Sequence, residues 1–146
     1  MIPTLFDSSA VAEFRSWTER YRSFVIVTHV SPDGDAMGSA LGMLHYLQAR
    51  GCRARVVVPN AFPEFFRWMP QVGSVVQYDF HREQADRLID EAEAVFCLDF
   101  NGLGRAGAVG EKLRAAGKPM ALVDHHPSPE EGFDLTFSRP ALCATA

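Results

Sequence analysis

The 146-residue chain has few cysteines and none of them paired: Cys52, Cys97 and Cys143 stand far apart, and no C-x-x-C spacing occurs. That argues against a disulfide framework, a thiolate zinc site and a dithiol redox centre, and leaves buried or incidental thiols. No apolar run approaches the roughly 18 residues of a membrane span. Basic residues are not in excess either, since 14 Lys and Arg face 18 Asp and Glu for a formal net charge of −4. Such a balance argues against gripping long duplex nucleic acid by bulk charge, but suits a small phosphorylated ligand held by metals and a few arginines. Repeats, low-complexity tracts and flexible linkers are lacking. The stretch from Met1 to Asp7 has neither the basic nor the long apolar segment of a secretory signal, so a cytoplasmic location is expected.

What is present is an ordinary globular composition, 47% hydrophobic and 22% charged. At this length the chain makes one domain or part of one, able to bury about two-thirds of its unfolded surface. Val11, Phe14, Trp17 and Tyr21 recur at helical spacing and predict a helix over Ser9 to Arg22, capped by Ser8 or Ser9. Strands are predicted at Phe24 to Thr28, Arg53 to Pro59, Ser74 to Tyr78, Ala94 to Leu98, Met120 to Val123 and Phe133 to Phe137. Helices are predicted between them, over Met37 to Arg50 with Gly51 as the stop, His81 to Ala92, and Ala106 to Ala116. Phe62, Phe65, Phe66, Trp68 and Met69 are weighed as a hydrophobic corner ahead of a base-stacking platform, and His45 as a surface or satisfied histidine. The alternation of strand, polar loop and helix points to an α/β fold with an open, mainly parallel sheet flanked by helices on both faces.

One stretch organises the rest. Thr28-His29-Val30-Ser31-Pro32-Asp33-Gly34-Asp35-Ala36-Met37-Gly38-Ser39 leaves the first strand with one imidazole and two carboxylates inside seven residues. Like charges that close are costly unless protons or a cation neutralise them. Gly34 offers a sharp turn between the aspartates and Pro32 fixes the approach. Asp33 or Asp35 serves equally well as the N-cap of the following helix. Two further strands end in similar groups, one at Asp99 and one at Asp124-His125-His126. In an open parallel sheet, ligands gather outside the carboxyl ends of the strands, so three such clusters on one edge argue for a common site.

Mixed imidazole and carboxylate donors suit Mn²⁺ first, with Mg²⁺ or Fe²⁺ as alternatives. Five or more donors exceed the need of one ion, whereas two ions about 3.5–4 Å apart would share a bridging carboxylate, for which Asp99 is placed. The chemistry implied is metal-assisted phosphoester hydrolysis.

His29 with Asp33-Gly34-Asp35, the lone Asp99, and Asp124-His125-His126 resemble the first three motifs of the DHH phosphoesterase superfamily, in its order, from about Ser23 onward. The first motif and the Asp99 to Arg105 segment are most similar to the nanoRNase and pAp-phosphatase branch. The resemblance implies His29, Asp33 and Asp99 on one manganese, and Asp35, Asp99 and His125 on the other. It gives His126 a contact to the scissile phosphate or to a nearby ligand, with Asp99 and His126 the catalytic residues. Asp124 is expected to orient an imidazole. Arg105 is a candidate for a substrate phosphate, a surface ion pair being the alternative. Ser39 and the amides that open its helix are candidates for anion contacts.

The family also carries a fourth-motif aspartate and a smaller substrate-binding domain, neither of which appears by Ala146; Asp134 lies too near the triplet for that ligand. Residues 1–146 are therefore expected to be an N-terminal domain that binds metal weakly and hydrolyses little alone, its other domain acting in cis. The expected ligand is short single-stranded RNA or a small nucleotide, with no membrane partner and a homodimer left open. Cyclic-dinucleotide phosphodiesterase, pyrophosphatase, single-strand exonuclease, and a non-catalytic nucleotide- or metal-binding domain are the rival readings.

Overall fold

The computed structural model describes residues 6–146. Residues 1–5, most of the stretch read for an export signal, lie outside the described residues. Among the described residues no helix is long and apolar enough to cross a membrane.

The chain runs α1 (Ser8–Arg20), β1 (Ser23–Val27), α2 (Gly34–Ala49), β2 (Arg53–Val58), β3 (Val76–Gln77), α3 (Arg82–Glu91), β4 (Ala94–Leu98), α4 (Gly107–Ala116), β5 (Met120–Asp124) and β6 (Leu135–Ser138). The six strands form one sheet in the order β3-β2-β1-β4-β5-β6, and every pairing is parallel. The chain builds outward from β1 through β2 and β3, then returns to place β4 on β1's other side. The switch in strand order therefore falls between β1 and β4, and it is outside the carboxyl ends at such a switch that ligands of open α/β sheets gather.

β1 is buried at all five positions, because α1 and α2 cover one face of the sheet while α3 and α4 cover the other. Successive side chains of a strand point to opposite faces. Phe24 and Ile26 accordingly pack with Trp17, Met37, Leu41, Leu44 and Leu47, whereas Val25 and Val27 pack with Ala85, Ile89, Val109 and Leu113. Both helical layers follow from the apolar stripes in the sequence.

Several details differ from expectation. The cap of α1 is Asp7, which accepts from the Ala10 amide, rather than Ser8 or Ser9; a carboxylate at that position accepts more strongly than a hydroxyl. Gly34 does not make the turn of the ligand loop: it opens α2, and the left-handed residue is Ser31 (φ 54°). The aromatic segment divides. Phe66 is buried and Phe62 and Met69 pack against the core, but Phe65 and Trp68 are 71% and 75% exposed, since a short 3-10 turn at Glu64–Phe66 cannot point successive side chains inward. His45 is exposed and meets the Gln71 side-chain amide.

A 3-10 turn at Leu103–Ala106 leads into α4, and Gly110 lies directly against it. A Cβ at Gly110 would fall 2.0 Å from the Leu103 carbonyl oxygen, while one at Gly104 would meet nothing within 4 Å. Gly110→Ala is expected to lower stability by about 1–3 kcal/mol as α4 shifts away. Urea unfolding checks this, with Gly104→Ala as the control; equal midpoints for the two variants would contradict the packing.

Candidate metal centre

β1, β4 and β5 are neighbours in the sheet, so the polar groups at their carboxyl ends converge although they are far apart in sequence. Adjacent strands lie about 4.8 Å apart, which puts the group on the middle strand within reach of both flanking ones. That group is Asp99. Its amide continues the ladder by donating to the Val123 carbonyl, and its backbone then turns left-handed (φ 65°), leaving the carboxylate 1% exposed. Aspartate is among the few side chains that occupy this conformation readily.

Each Asp99 oxygen faces a different imidazole. Oδ2 lies 3.4 Å from His29 Nε2, and Oδ1 lies 3.4 Å from His125 Nε2. The far nitrogens are committed: His29 Nδ1 is 2.7 Å from the Val30 carbonyl and His125 Nδ1 is 3.1 Å from the Leu142 carbonyl. A carbonyl only accepts, so Nδ1 carries the hydrogen and Nε2 of the neutral ring presents its lone pair to the carboxylate. A lone pair opposite a buried anion is repulsive unless a proton or a cation lies between them. These donors therefore have the chemistry to hold a divalent cation beside Asp99.

Around that axis, Asp33 Oδ1 lies 3.8 Å from His29 Nε2, and Asp35 Oδ2 lies 3.3 Å from His125 Nε2. Asp33 is also the N-cap of α2, accepting from the Ala36 amide, so the cap and ligand readings are compatible. Two groups that could hold a metal ion form among the described residues, His29-Asp33-Asp99 and Asp99-His125-His126. His126 Nδ1 bonds Asp124 Oδ1 at 2.7 Å, the orienting contact expected of Asp124, whose buried Oδ2 has no hydrogen-bond partner.

The other residues singled out in the sequence are placed as follows. Arg105 is exposed, and its carbonyl accepts from the Val30 amide, tying the loop after β4 to the loop after β1. The Ser39 hydroxyl donates to Asp35 Oδ1. Asp134 accepts from the Met120 amide at the start of β5, the opposite edge of the sheet from this centre. Sequence reasoning missed Thr145 and Asn60. The Thr145 hydroxyl donates to Asp99 Oδ1 and its amide to Asp35, while Asn60 accepts from the Ser31 amide. Neither position carries a periodicity or motif that would have marked it.

Two ionisation shifts follow from this geometry. The Asp99 carboxylate raises the His29 pKa above its ordinary 6.5, against the opposing effect of burial. Burial pushes Asp35 up, but the Thr145 and Ala146 amides, aided by other hydrogen bonds, outweigh it and hold the carboxyl below the usual range.

Residues 23–146 match the family model described as the DHH family, N-terminal domain. The chain belongs to the DHH family. It is 48% identical over 125 residues to the bifunctional oligoribonuclease and PAP phosphatase NrnA of Thermus thermophilus, covering 83% of this chain and 33% of that protein. An uncharacterized protein of Mycoplasma genitalium is 23% identical over 140 residues, covering 96% of this chain and 40% of that one. Among solved structures, an exopolyphosphatase-related protein from Bacteroides fragilis superposes with a TM-score of 0.94 at 40% identity, over 99% of this chain and 42% of that one. The chain thus spans between a third and just over two-fifths of the length of these relatives. DHH phosphoesterases are generally dependent on divalent metals, in keeping with the donor set around Asp99.

In the chelated protein, the ring of His29 is expected to titrate above 6.5. The stability this histidine contributes is then complete below its unfolded value and is lost as pH rises through the higher native one. A histidine NMR titration checks it: Asp99→Asn should bring the midpoint down, and an unchanged midpoint would contradict the pairing.

Proposed function

We propose that this chain is the metal-binding domain of a phosphoesterase that hydrolyses short oligoribonucleotides, 3′-phosphoadenosine 5′-phosphate, or both. The observation that carries the reading is the buried Asp99 carboxylate with one oxygen toward His29 Nε2 and the other toward His125 Nε2. His29, Asp33 and Asp99 Oδ2 would hold one ion, and Asp35, His125 and Asp99 Oδ1 the other, with Mn²⁺ the favoured metal and Mg²⁺ or Fe²⁺ next. When bound, such ions supply Lewis acidity, acidifying water and neutralising charge on phosphoryl oxygens.

The remaining work falls to the protein's own groups. His126, fixed through Nδ1 by Asp124, would carry a proton on Nε2 with the help of the Asp124 carboxylate and donate it to a phosphate oxygen. Arg105, exposed on the turn that follows Asp99, is the side chain offered to a second phosphate. Ser39 acts through Asp35, to which its hydroxyl is bonded. The ligand is a short single strand or small nucleotide, and a further domain in cis would supply the other wall of the cleft; a cytoplasmic setting completes the proposal.

The nucleotide reading is favoured by the 48% identity to the Thermus protein. The Bacteroides structure motivates a second, in which the same centre cleaves phosphoanhydrides. The test is Mn²⁺-dependent release of phosphate or mononucleotide from pAp, a dinucleotide, a 20-mer and inorganic polyphosphate by the full-length protein. Turnover of pAp or the dinucleotide is expected, with a loss of at least about 10³-fold in Asp99→Ala. Turnover of polyphosphate alone would favour the second reading, and activity unaffected by Asp99→Ala would overturn both.

A further inference from the structure

The residues after β6 reach back across the sheet edge and touch three of the five groups assigned above as metal ligands. The Leu142 carbonyl holds His125 Nδ1 at 3.1 Å. The Thr145 amide donates to Asp35 Oδ2 at 2.8 Å and Oδ1 at 3.1 Å, and the Ala146 amide to Asp35 Oδ1 at 2.8 Å. The Thr145 hydroxyl donates to Asp99 Oδ1 at 2.9 Å. All but one of these contacts use backbone groups, which do not depend on the identity of the side chain. The hydroxyl is the exception, so it makes the identity of residue 145 matter.

These contacts determine which oxygen lone pairs remain open. Asp35 Oδ1 receives the Ser39 hydroxyl and both amides, and is saturated. Asp35 Oδ2 receives one amide and keeps a lone pair on the side of His125 Nε2. Asp99 Oδ1 receives the Thr145 hydroxyl and keeps one lone pair toward His125, while Oδ2 faces His29. The hydroxyl bond to Oδ1 biases the carboxylate against a swing that would put both oxygens on one ion.

Resting on the two-ion reading above, we infer that Thr145 is a positioning residue. Its hydroxyl holds Asp99 as a bridge with one oxygen for each ion, and its amide holds Asp35 as a single-oxygen ligand beside His125. The hydroxyl acts on the oxygen that faces His125, so its loss should weaken the ion held by Asp35 and His125 and spare the one held by His29 and Asp33.

The experiment is Mn²⁺ titration by calorimetry and electron paramagnetic resonance on the full-length protein, comparing wild type with Thr145→Val and Thr145→Ser. Valine keeps the amide and the shape; serine keeps the hydroxyl. Wild type is expected to bind two ions and show the spectrum of a coupled pair. In Thr145→Val the second ion should bind roughly 10–100-fold more weakly and the coupled signal fade, with the first ion unchanged. The loss in turnover should fall on kcat rather than KM, and serine should restore affinity and signal. Circular dichroism confirms folding, and Thr145→Ala replaces the valine variant if that does not fold. Equal weakening of both ions, unchanged binding in Thr145→Val, or failure of serine to rescue would overturn the inference and leave the two-ion reading standing. A wild type that binds no pair of ions would overturn both.

Discussion

A buried carboxylate set between two imidazole lone pairs is the constraint on which the rest of this structure depends. Burying an anion costs several kcal/mol unless something compensates it, and Asp99 is shielded almost wholly from water. Neither His29 nor His125 can relieve the strain by changing tautomer, because a backbone carbonyl holds Nδ1 of each. The Thr145 hydroxyl donates to one Asp99 oxygen, and the rest of the compensation falls to protons or cations. In the metal-free protein His29 takes up that role by holding its proton more tightly.

The fold makes the arrangement possible by placing rigid elements behind each group. β1, β4 and β5 are buried in the middle of a six-stranded sheet, and their register fixes where the loops begin. The loops are then tied to one another: Val30 to Arg105, Ser31 to Asn60, and Asn101 to Pro127. Glu130 joins the same lattice, its carboxylate accepting from the Leu103 amide and from Arg114. A centre braced in this way holds like charges together before any ion arrives, which lowers the reorganisation that binding requires.

Much of this was legible in the linear chain because the signals were local. Apolar runs at Phe24 to Val27, Val56 to Val58 and Ala94 to Leu98 announced strands buried on both faces, and the stripe Met37, Leu41, Leu44, Leu47 announced α2. The aromatic segment was harder. Whether Phe65 or Phe66 is buried depends on the path of a 3-10 turn, and periodicity carries no information there. The cap at Asp7 and the left-handed turn at Ser31 were missed for a related reason: several polar residues in each stretch satisfy the same rule, and only the backbone path selects one.

By itself the sequence determined the residue types, the α/β alternation and the fact that three strands end in carboxylates or imidazoles, since each of these is written in a short window. The tertiary structure alone decided that β4 lies between β1 and β5, which puts Asp99 between His29 and His125 instead of beside either. It alone brought Thr145 onto Asp35 and Asp99, across 110 and 46 positions. Strand order and chain return depend on how whole layers pack, and no local pattern encodes them.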